Sequence, residues 1–228
     1  MLKLKELKYG SLLSYVSHHS KNPNEREDIE NARKIKNYLK NDTPFNKKNE
    51  PDTAYIPFSD TIAKDIAHSI GGLPFKDFFG DDTTLVPVPK SSLMQPNTLW
   101  VPLNVANAFV KNKLASNVVE ALERETPVNR SSSVPSKDRP KAEEHYNSLK
   151  VNVGSLKTQK IVLIDDIVTR GATLIGSVNK LFDMFPDKEF YAFAVMRTIS
   201  NISEFENWYA PVTGTITLQE DGNTLRRP

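Results

Sequence analysis

The fold expected for this chain depends on one segment, Val162-Leu-Ile-Asp-Asp-Ile-Val-Thr-Arg-Gly-Ala-Thr-Leu174. Its apolar start belongs to the β-branched run Ile161–Ile164, which predicts a central strand buried on both faces. That strand delivers two adjacent carboxylates, Asp165 and Asp166, to its carboxyl end. Because ligands bind at the carboxyl ends of strands in open α/β sheets, we expect both acids to lie in a binding site.

The residues after the acids, Thr169–Thr173, are small and hydroxylic and open a helix expected from about Thr173 to Phe185. A turn of this kind directs several backbone N–H groups outward, and Gly171 lets the chain approach a ligand without an intervening Cβ. The helix N-terminus adds roughly half a positive charge, and Thr169 and Thr173 can donate hydroxyl hydrogen bonds. The loop suits a phosphate monoester and the acids suit vicinal hydroxyls one sugar away, so the pattern describes a phosphorylated pentose.

This segment resembles the signature with which type I phosphoribosyltransferases bind 5-phosphoribosyl-1-pyrophosphate (PRPP): four apolar residues, two acids, two apolar residues, then a Thr/Gly/Ala loop. It is closest in character to the ComF-type competence proteins and related orphan enzymes. Leu85–Pro89 also resembles the strand before the family's pyrophosphate loop, and the resemblance covers about residues 84–197. It implies an α/β fold with a Rossmann-like parallel sheet flanked by helices, a Mg²⁺–PRPP complex, and attack at the ribose anomeric carbon with release of pyrophosphate.

The resemblance assigns each part of PRPP to residues of this chain. Asp165 and Asp166 would hold the ribose hydroxyls and, through water, Mg²⁺. The 5-phosphate would be held by the loop residues Thr169, Arg170, Gly171, Ala172 and Thr173. Lys90 and Ser91 would lie in the pyrophosphate loop, and Arg124, at the end of a strand, would face the same site.

A long segment without apolar periodicity, Thr126–Lys141, carries three prolines, four serines and several basic residues, which predicts a mobile functional loop. The resemblance makes it the family's flexible catalytic loop, in which Arg130, Lys137 and Arg139 would close over the pyrophosphate. A dissociative, oxocarbenium-like transition state needs leaving-group neutralisation and exclusion of water. Lys137 and Arg139 therefore join the two acids as the expected catalytic residues.

Elsewhere strands alternate with helices, which predicts a parallel sheet. We expect residues 1–80 to form a helical region, with the option of a hood over the site, and residues 81–228 to form the phosphoribosyltransferase-like core with a C-terminal strand. Ser59 or Asp60 would cap the second helix, and Gly71-Gly72 would end it. The expected helices are Glu27–Lys40, Ser59–Ile70 and Leu99–Leu114, and the other strands are Thr84–Val88, Asn117–Leu122, Phe190–Met196 and Thr213–Leu218.

Composition limits the function classes. The 228 residues include no cysteine, which excludes disulfides, thiolate nucleophiles and cysteine-ligated zinc. The formal net charge is only +2, which gives no case for nucleic acid as a partner without excluding it. Met1–Tyr9 lacks the apolar core of a signal peptide, and no run approaches the ~18–20 apolar residues that span a bilayer. We expect a cytoplasmic protein with no membrane partner that binds PRPP and a small-molecule acceptor, with a homodimer as one option.

Three functions stay open. Transfer of phosphoribosyl to a nucleobase or another small nitrogen acceptor is favoured by the cationic lid. A regulator that senses PRPP or nucleotides without catalysis is favoured by the residues after Lys90, Ser-Ser-Leu-Met-Gln-Pro-Asn, which carry little positive charge. A ComF-like accessory role in DNA uptake or defence rests on the resemblance alone. Receiver domains also place acids after a strand, but their acidic pair lies near the start of the domain, whereas only 62 residues follow Asp166 here. His145 is open between acid–base chemistry and a structural role.

Overall fold

The structure, a computed structural model, describes residues 2–16, 26–44, 56–129 and 139–228. Within these ranges the strands are β1 (Glu6–Val16), β2 (Gly80–Pro87), β3 (Ala115–Val118), β4 (Leu122–Arg124), β5 (Leu149–Val151), β6 (Lys160–Val168), β7 (Glu189–Ile199), β8 (Tyr209–Leu218) and β9 (Thr224–Arg227). The α-helices are α1 (Glu27–Asn41), α2 (Phe58–Ser69), α3 (Val101–Lys111), α4 (Ala142–Asn147) and α5 (Ala172–Met184). None of these helices combines the length and the apolar character that crossing a bilayer requires.

Seven of the strands form one sheet in the order β3-β2-β6-β7-β1-β8-β9, and β4 and β5 form a separate antiparallel pair. The first five strands of the sheet run parallel, whereas β8 and β9 are antiparallel to their neighbours. β6 lies between β2 and β7, and Ile161–Ile164 within it are fully buried. The expected α/β fold, a Rossmann-like and mostly parallel sheet flanked by helices, is confirmed.

Helices cover both faces of the sheet because successive side chains of β6 point to opposite faces. Val162 and Ile164 pack in a core with apolar residues of α1, α2 and α3. Ile161 and Leu163 pack in a second core with α4 and α5. The parallel strands between these two helical layers all end at one edge of the sheet, and β6 brings its acids to that edge.

The expected helices are confirmed with small shifts at their ends, but the capping prediction for α2 is wrong. The helix follows Pro57, and neither Ser59 nor Asp60 caps it. Ser59 instead donates hydrogen bonds from its backbone N–H and its hydroxyl to the carboxylate of Asp42. The predicted stop is close to the observed one, since α2 passes into a 3₁₀ turn over Ile70–Gly72.

Two predictions about strands need correction. The strand expected over Asn117–Leu122 is divided, because β3 ends at Val118 and Leu122 begins β4 in the small antiparallel pair. The sequence predicts no strand before residue 84, yet β1 lies between β7 and β8 in the main sheet. Residues 1–80 thus add a strand to the sheet that residues 81–228 build. A hood formed by the rest of that region stays a proposal.

Candidate functional site

The loop after β6 has the strand-to-helix geometry that the sequence predicts. β6 continues to Val168, so Asp165 and Asp166 are among the last four residues of the strand and do not lie beyond its end. Gly171 follows with φ +86° and ψ 15°, a left-handed conformation, and α5 begins at Ala172. The N–H of Ile175 donates to the carbonyl of Gly171 as the helix starts. The free N–H groups at the start of α5 therefore lie at the carboxyl edge of the sheet.

The reason for glycine at position 171 differs from the one expected. A Cβ built on Gly171 would lie 2.6 Å from Cδ1 of Ile216 in β8, so the missing side chain faces the sheet and not a ligand. The positive φ of 86° adds a second requirement for glycine. Gly171 thus lets the loop pack closely on β8 while it turns into α5.

A small cavity of about 90 Å³ lies at this loop. Its lining consists of Arg139, Asp165, Ile167, Val168, Thr169, Arg170, Gly171, Ala172, Thr173 and Leu174. Two guanidinium groups meet here: burial, and next the charge of Arg139, lower the pKa of Arg170, against a smaller opposing effect of Asp221. The Nε of Arg139 is buried and has no hydrogen-bond partner among the described residues. The small cavity is therefore a positively charged recess at a helix N-terminus, which suits an anion.

The two threonine hydroxyls of the loop already have neighbours. Oγ1 of Thr169 lies 3.2 Å from Oγ1 of Thr198 in β7. Oγ1 of Thr173 lies 3.3 Å from Nε2 of His145 in α4. Because a hydroxyl both donates and accepts, each threonine can keep this contact and still bond to a ligand.

The acid pair is held by backbone groups and by one lysine. Asp165 accepts a hydrogen bond of 2.9 Å from the N–H of Asp166. Asp166 accepts one of 2.6 Å from the N–H of Ile167 and forms an ion pair of 2.6 Å with Nζ of Lys40 in α1. Lys40 lies 126 residues before Asp166 in the chain, so no local sequence pattern connects the two. Burial, followed by the charge of Asp166, raises the pKa of Asp165, while Lys40 opposes that rise.

A larger cleft of about 680 Å³ adjoins the small cavity. The two share four lining residues, Asp165, Ile167, Thr169 and Thr173. The rest of the cleft is lined by Tyr15, Lys36, Asn37, Lys40, Val88, Pro89, Lys90, Ser91, Leu99, Val101, Pro102, Arg124, Asn129, His145 and Asp166. A ligand with a terminal phosphate in the small cavity would therefore extend past the acids into the cleft. α1, from the N-terminal region, forms part of its wall.

Arg124 lines the cleft but is largely occupied by the protein itself. Its Nε donates 2.8 Å to the carbonyl of Lys90, and its Nη1 donates to the hydroxyl of Ser148. The residue is 3% exposed, and burial lowers its pKa to about 10. Arg124 thus fixes the segment after β2, which carries Lys90 and Ser91, to β4 and to the end of α4.

His145 is a buried, neutral histidine. Burial, and next the charge of Arg124, lower its pKa to about 4. Its Nδ1 has no hydrogen-bond partner among the described residues. α4 and α5 approach closely here, since a Cβ on Gly176 would lie 2.6 Å from the carbonyl oxygen of Ala142 and 2.7 Å from Cβ of His145. His145 therefore packs between the helices and presents Nε2 to Thr173.

The structure brings together all the expected site residues that it describes. The large cleft holds Lys90, Ser91, Arg124 and Asp166, and the small cavity holds Arg139, Arg170, Gly171 and Ala172; Asp165, Thr169 and Thr173 border both. Arg139 lies beside the loop expected to hold the 5-phosphate. Arg130 and Lys137 of the expected lid lie outside the described residues. Their closure over a ligand stays a prediction.

Comparison with known proteins gives a distant likeness. No protein-family model matches the chain, and no curated protein matches it. Two solved crystal structures of a hypoxanthine phosphoribosyltransferase from Staphylococcus aureus are similar to it. The orthorhombic form has a TM-score of 0.33 and 16% identity, covering 66% of this chain and 70% of its own. The tetragonal form has a TM-score of 0.35 and 14% identity, covering 80% and 95%. At this level of likeness, function has to be read from the site.

Proposed function

We propose that this protein binds PRPP and transfers its phosphoribosyl group to a nucleobase or another small nitrogen acceptor, with Mg²⁺ and release of pyrophosphate. One observation carries the proposal: a small cationic recess and a larger cleft meet at a pair of carboxylates. PRPP has the matching order of groups, with a monophosphate at one end, ribose hydroxyls in the middle and a pyrophosphate at the other end.

The 5-phosphate would occupy the small cavity. The N–H groups at the start of α5 and the guanidinium groups of Arg139 and Arg170 supply donors and positive charge there. Charge-assisted hydrogen bonds to phosphate are shorter and about twice as strong as neutral ones. This recess therefore favours a dianionic phosphate over a neutral group of similar size.

The ribose would lie over Asp165 and Asp166. Vicinal hydroxyls are paired donors, and ionised carboxylates accept only, so the two groups match. Asp166 already accepts from Lys40, so the ligand would share Asp166 with that ammonium group or displace it. Asp165 has a raised pKa, and it has to lose its proton to accept from two hydroxyls.

The donor set fits a Mg²⁺ ion that arrives with PRPP. Mg²⁺ is usually held by one or two carboxylates together with substrate phosphates and water. Asp165 and Asp166 are such a pair in the cleft, and the described residues contain no cluster of three or more acidic, histidine or cysteine side chains that would form an all-protein metal site. Bound through water to these acids, Mg²⁺ would neutralise part of the pyrophosphate charge.

Transfer would break the bond between the anomeric carbon and pyrophosphate while the acceptor nitrogen forms a new bond to that carbon and releases its proton to water. Lys90 and Ser91 line the cleft where the pyrophosphate would lie. Catalytic roles for Arg139 and for Lys137 of the lid belong to this proposal, because cations that close over the site would stabilise the leaving group and exclude water.

One observation favours a sensing regulator as the second candidate. In the cleft Arg124 donates to the carbonyl of Lys90 and to Ser148, and Lys40 is paired with Asp166 beneath the expected ribose. These contacts limit how far the two cations can turn toward a leaving group, whereas neither of them lines the small cavity that would hold the 5-phosphate. A regulator would bind PRPP without releasing pyrophosphate.

The test replaces Asp165 and Asp166 together by Asn, which keeps their size and removes two charges. Hydrogen bonds to charged groups contribute roughly 1.5–3 kcal/mol each, so the affinity for Mg²⁺–PRPP should fall by about tenfold or more in calorimetric titration. A matched control is Asp81→Asn with Asp82→Asn, an adjacent exposed pair at the opposite end of the parallel strands. This control should bind PRPP as the wild type does.

One outcome tests the role of the acids, and another decides between transferase and regulator. Equal PRPP affinity in the Asp165/Asp166 variant and the wild type would overturn the assignment of the acids. PRPP binding without release of pyrophosphate, measured across a panel of nucleobases and other nitrogen acceptors, would support the regulator and count against the transferase.

A further inference from the structure

The antiparallel hairpin of β8 and β9 lies directly against the loop that forms the small cavity. Ile216 of β8 occupies the space in which a Cβ of Gly171 would lie. The turn of the hairpin is tied to the segment before α4, where Nζ of Lys141 donates 2.6 Å to the carbonyl of Asp221. The loop is thus supported from the side that faces away from the cavity.

Arg226 of β9 makes the most specific of these contacts. Its Nε donates 2.8 Å to the carbonyl of Thr169, the first residue of the loop. Its Nη1 donates 2.7 Å to the hydroxyl of Tyr9 in β1, and its Nη2 donates 2.5 Å to the carbonyl of Thr198 in β7. One planar guanidinium group therefore joins the loop to two strands of the sheet.

This arrangement constrains the orientation of the loop. The carbonyl of Thr169 accepts from Arg226, and its hydroxyl contacts Thr198, which is itself bonded to Arg226. The guanidinium also lies 5.7 Å from the centre of the Tyr9 ring, and Tyr9 is fully buried. A rigid fork anchored on a buried ring leaves the first peptide of the loop little freedom to turn.

We propose that Arg226 is a positioning residue for the phosphate loop. It holds the carbonyl of Thr169 toward the hairpin, so that the following N–H groups point into the small cavity. It does not line that cavity, so it acts through the loop and not on the ligand. The inference rests on the proposed function, because it assumes that the small cavity takes a phosphate.

The experiment compares Arg226→Gln with Arg227→Gln. The two residues are adjacent in β9 and lose the same charge, but Arg227 is exposed. Ribose 5-phosphate is the probe, titrated by calorimetry at a temperature at which circular dichroism shows every variant to be folded. We expect Arg226→Gln to lower the affinity by about tenfold or more, as for loss of a well-placed hydrogen bond to the loop, and Arg227→Gln to leave it unchanged. Arg226→Lys should restore part of it, since one ammonium can replace one of the three bonds.

Amide hydrogen exchange separates positioning from a general structural role. Arg226→Gln should speed exchange at the amide of Ile175, which donates to the carbonyl of Gly171 in the loop, while the amides of Ile161–Ile164 in β6 keep the wild-type rates. Faster exchange throughout the sheet, or unchanged affinity for ribose 5-phosphate, would overturn the positioning role. If the wild type does not bind ribose 5-phosphate at all, the proposed function fails. Unchanged exchange at Ile175 in Arg226→Gln would separately overturn the link between Arg226 and the loop.

Discussion

At the small cavity Arg139 and Arg170 line the space that a phosphate would fill, whereas in the adjoining cleft Arg124 and Lys40 are already bonded to other groups of the protein. Arg139 keeps a buried Nε without a partner among the described residues. Arg124 by contrast donates to Lys90 and Ser148. The two halves of one site therefore differ in how their arginines are bonded, although Lys36 and Lys90 also bring positive charge to the cleft.

This difference indicates that Arg139 and Arg170 can bind a phosphate where they lie, while Arg124 and Lys40 would have to give up existing contacts to bind a ligand. Burial and then the charge of Arg139 lower the pKa of Arg170, against a smaller effect of Asp221, and an anion in the cavity would offset the repulsion between the two guanidinium groups. The engaged cations of the cleft stabilise the fold instead. Experiments that remove one cation at a time can test the contrast.

The largest effect on ligand affinity is expected when Arg139 and Arg170 of the small cavity are both replaced. Arg139→Gln with Arg170→Gln deletes two charge-assisted contacts, each worth roughly 1.5–3 kcal/mol, so ribose 5-phosphate should bind at least about a hundredfold more weakly. Lys64→Gln with Arg227→Gln removes the same charge from exposed positions and should bind normally. Calorimetric titration measures both. Similar affinities for the two double variants would mean that general attraction, and not the cavity, binds the phosphate.

The next effect is a change in the free energy of unfolding with pH, which arises because His145 is buried in its neutral form. Its folded-state pKa of about 4 lies below the ordinary 6.5, so the unfolded chain binds a proton first as the pH falls. The free energy of unfolding should therefore decrease from pH 6.5 down to about 4, by about 3 kcal/mol at roughly 1.4 kcal/mol per pH unit.

Urea unfolding of the wild type and of His145→Gln between pH 4 and 8 checks this. The difference between their free energies of unfolding should change with pH in that window and be constant above it. His68→Gln, which replaces an exposed histidine of α2, should follow the wild-type curve. A pH-independent difference would mean that His145 is protonated as easily in the folded protein as in the unfolded chain.

A third variant, Arg124→Gln, should separate the two halves of the site. Arg124 does not line the small cavity, so the affinity for ribose 5-phosphate should change by less than about threefold, well under one hydrogen bond to a charged group. The pKa of His145 should rise, because the charge of Arg124 lowers it, but stay below 6.5, because burial is the larger cause. Nuclear magnetic resonance titration of the imidazole measures this shift. A large loss of ribose 5-phosphate affinity would contradict the division between the halves.

The site residues that the sequence predicts are those whose pattern is local. An apolar run, two acids and a Thr/Gly/Ala turn fall within Val162–Leu174, and short-range preferences determine their conformation. Lys40 and Arg226 are missed because they meet the site only through the fold, 126 residues from Asp166 and 57 residues from Thr169. No spacing rule connects residues so far apart in the chain.

β1 is missed for a different reason, since its composition conceals a buried strand. Gly10, Ser11 and Ser14 interrupt its apolar pattern, although all three are buried. A Cβ on Gly10 would lie 2.7 Å from Cβ of Phe75, and the hydroxyl of Ser14 donates 2.7 Å to the carbonyl of Asn207. These small residues are explained by tertiary neighbours, which periodicity along the chain does not report.

The smallest effect is expected from Lys40→Met, which removes the lysine paired with Asp166 in the cleft. Burial and the charge of Asp166 raise the pKa of Asp165 and Lys40 opposes them, so removal of Lys40 should raise that pKa further. At neutral pH more Asp165 would then be protonated, and a protonated carboxyl accepts hydroxyl bonds less well, so PRPP binding should recover as the pH is raised. Lys36→Met is the matched control, because Lys36 lies one helical turn away in α1 and contacts the Tyr15 ring, with no ion pair to an acid among the described residues. Carbon-detected titration of the Asp165 carboxyl in both variants would show the rise in one and not the other. If the pKa of Asp165 is unchanged in Lys40→Met, solvent screens the charge of Lys40 despite its ion pair of 2.6 Å with Asp166. Lys40 could then leave Asp166 and bind the ligand at little cost.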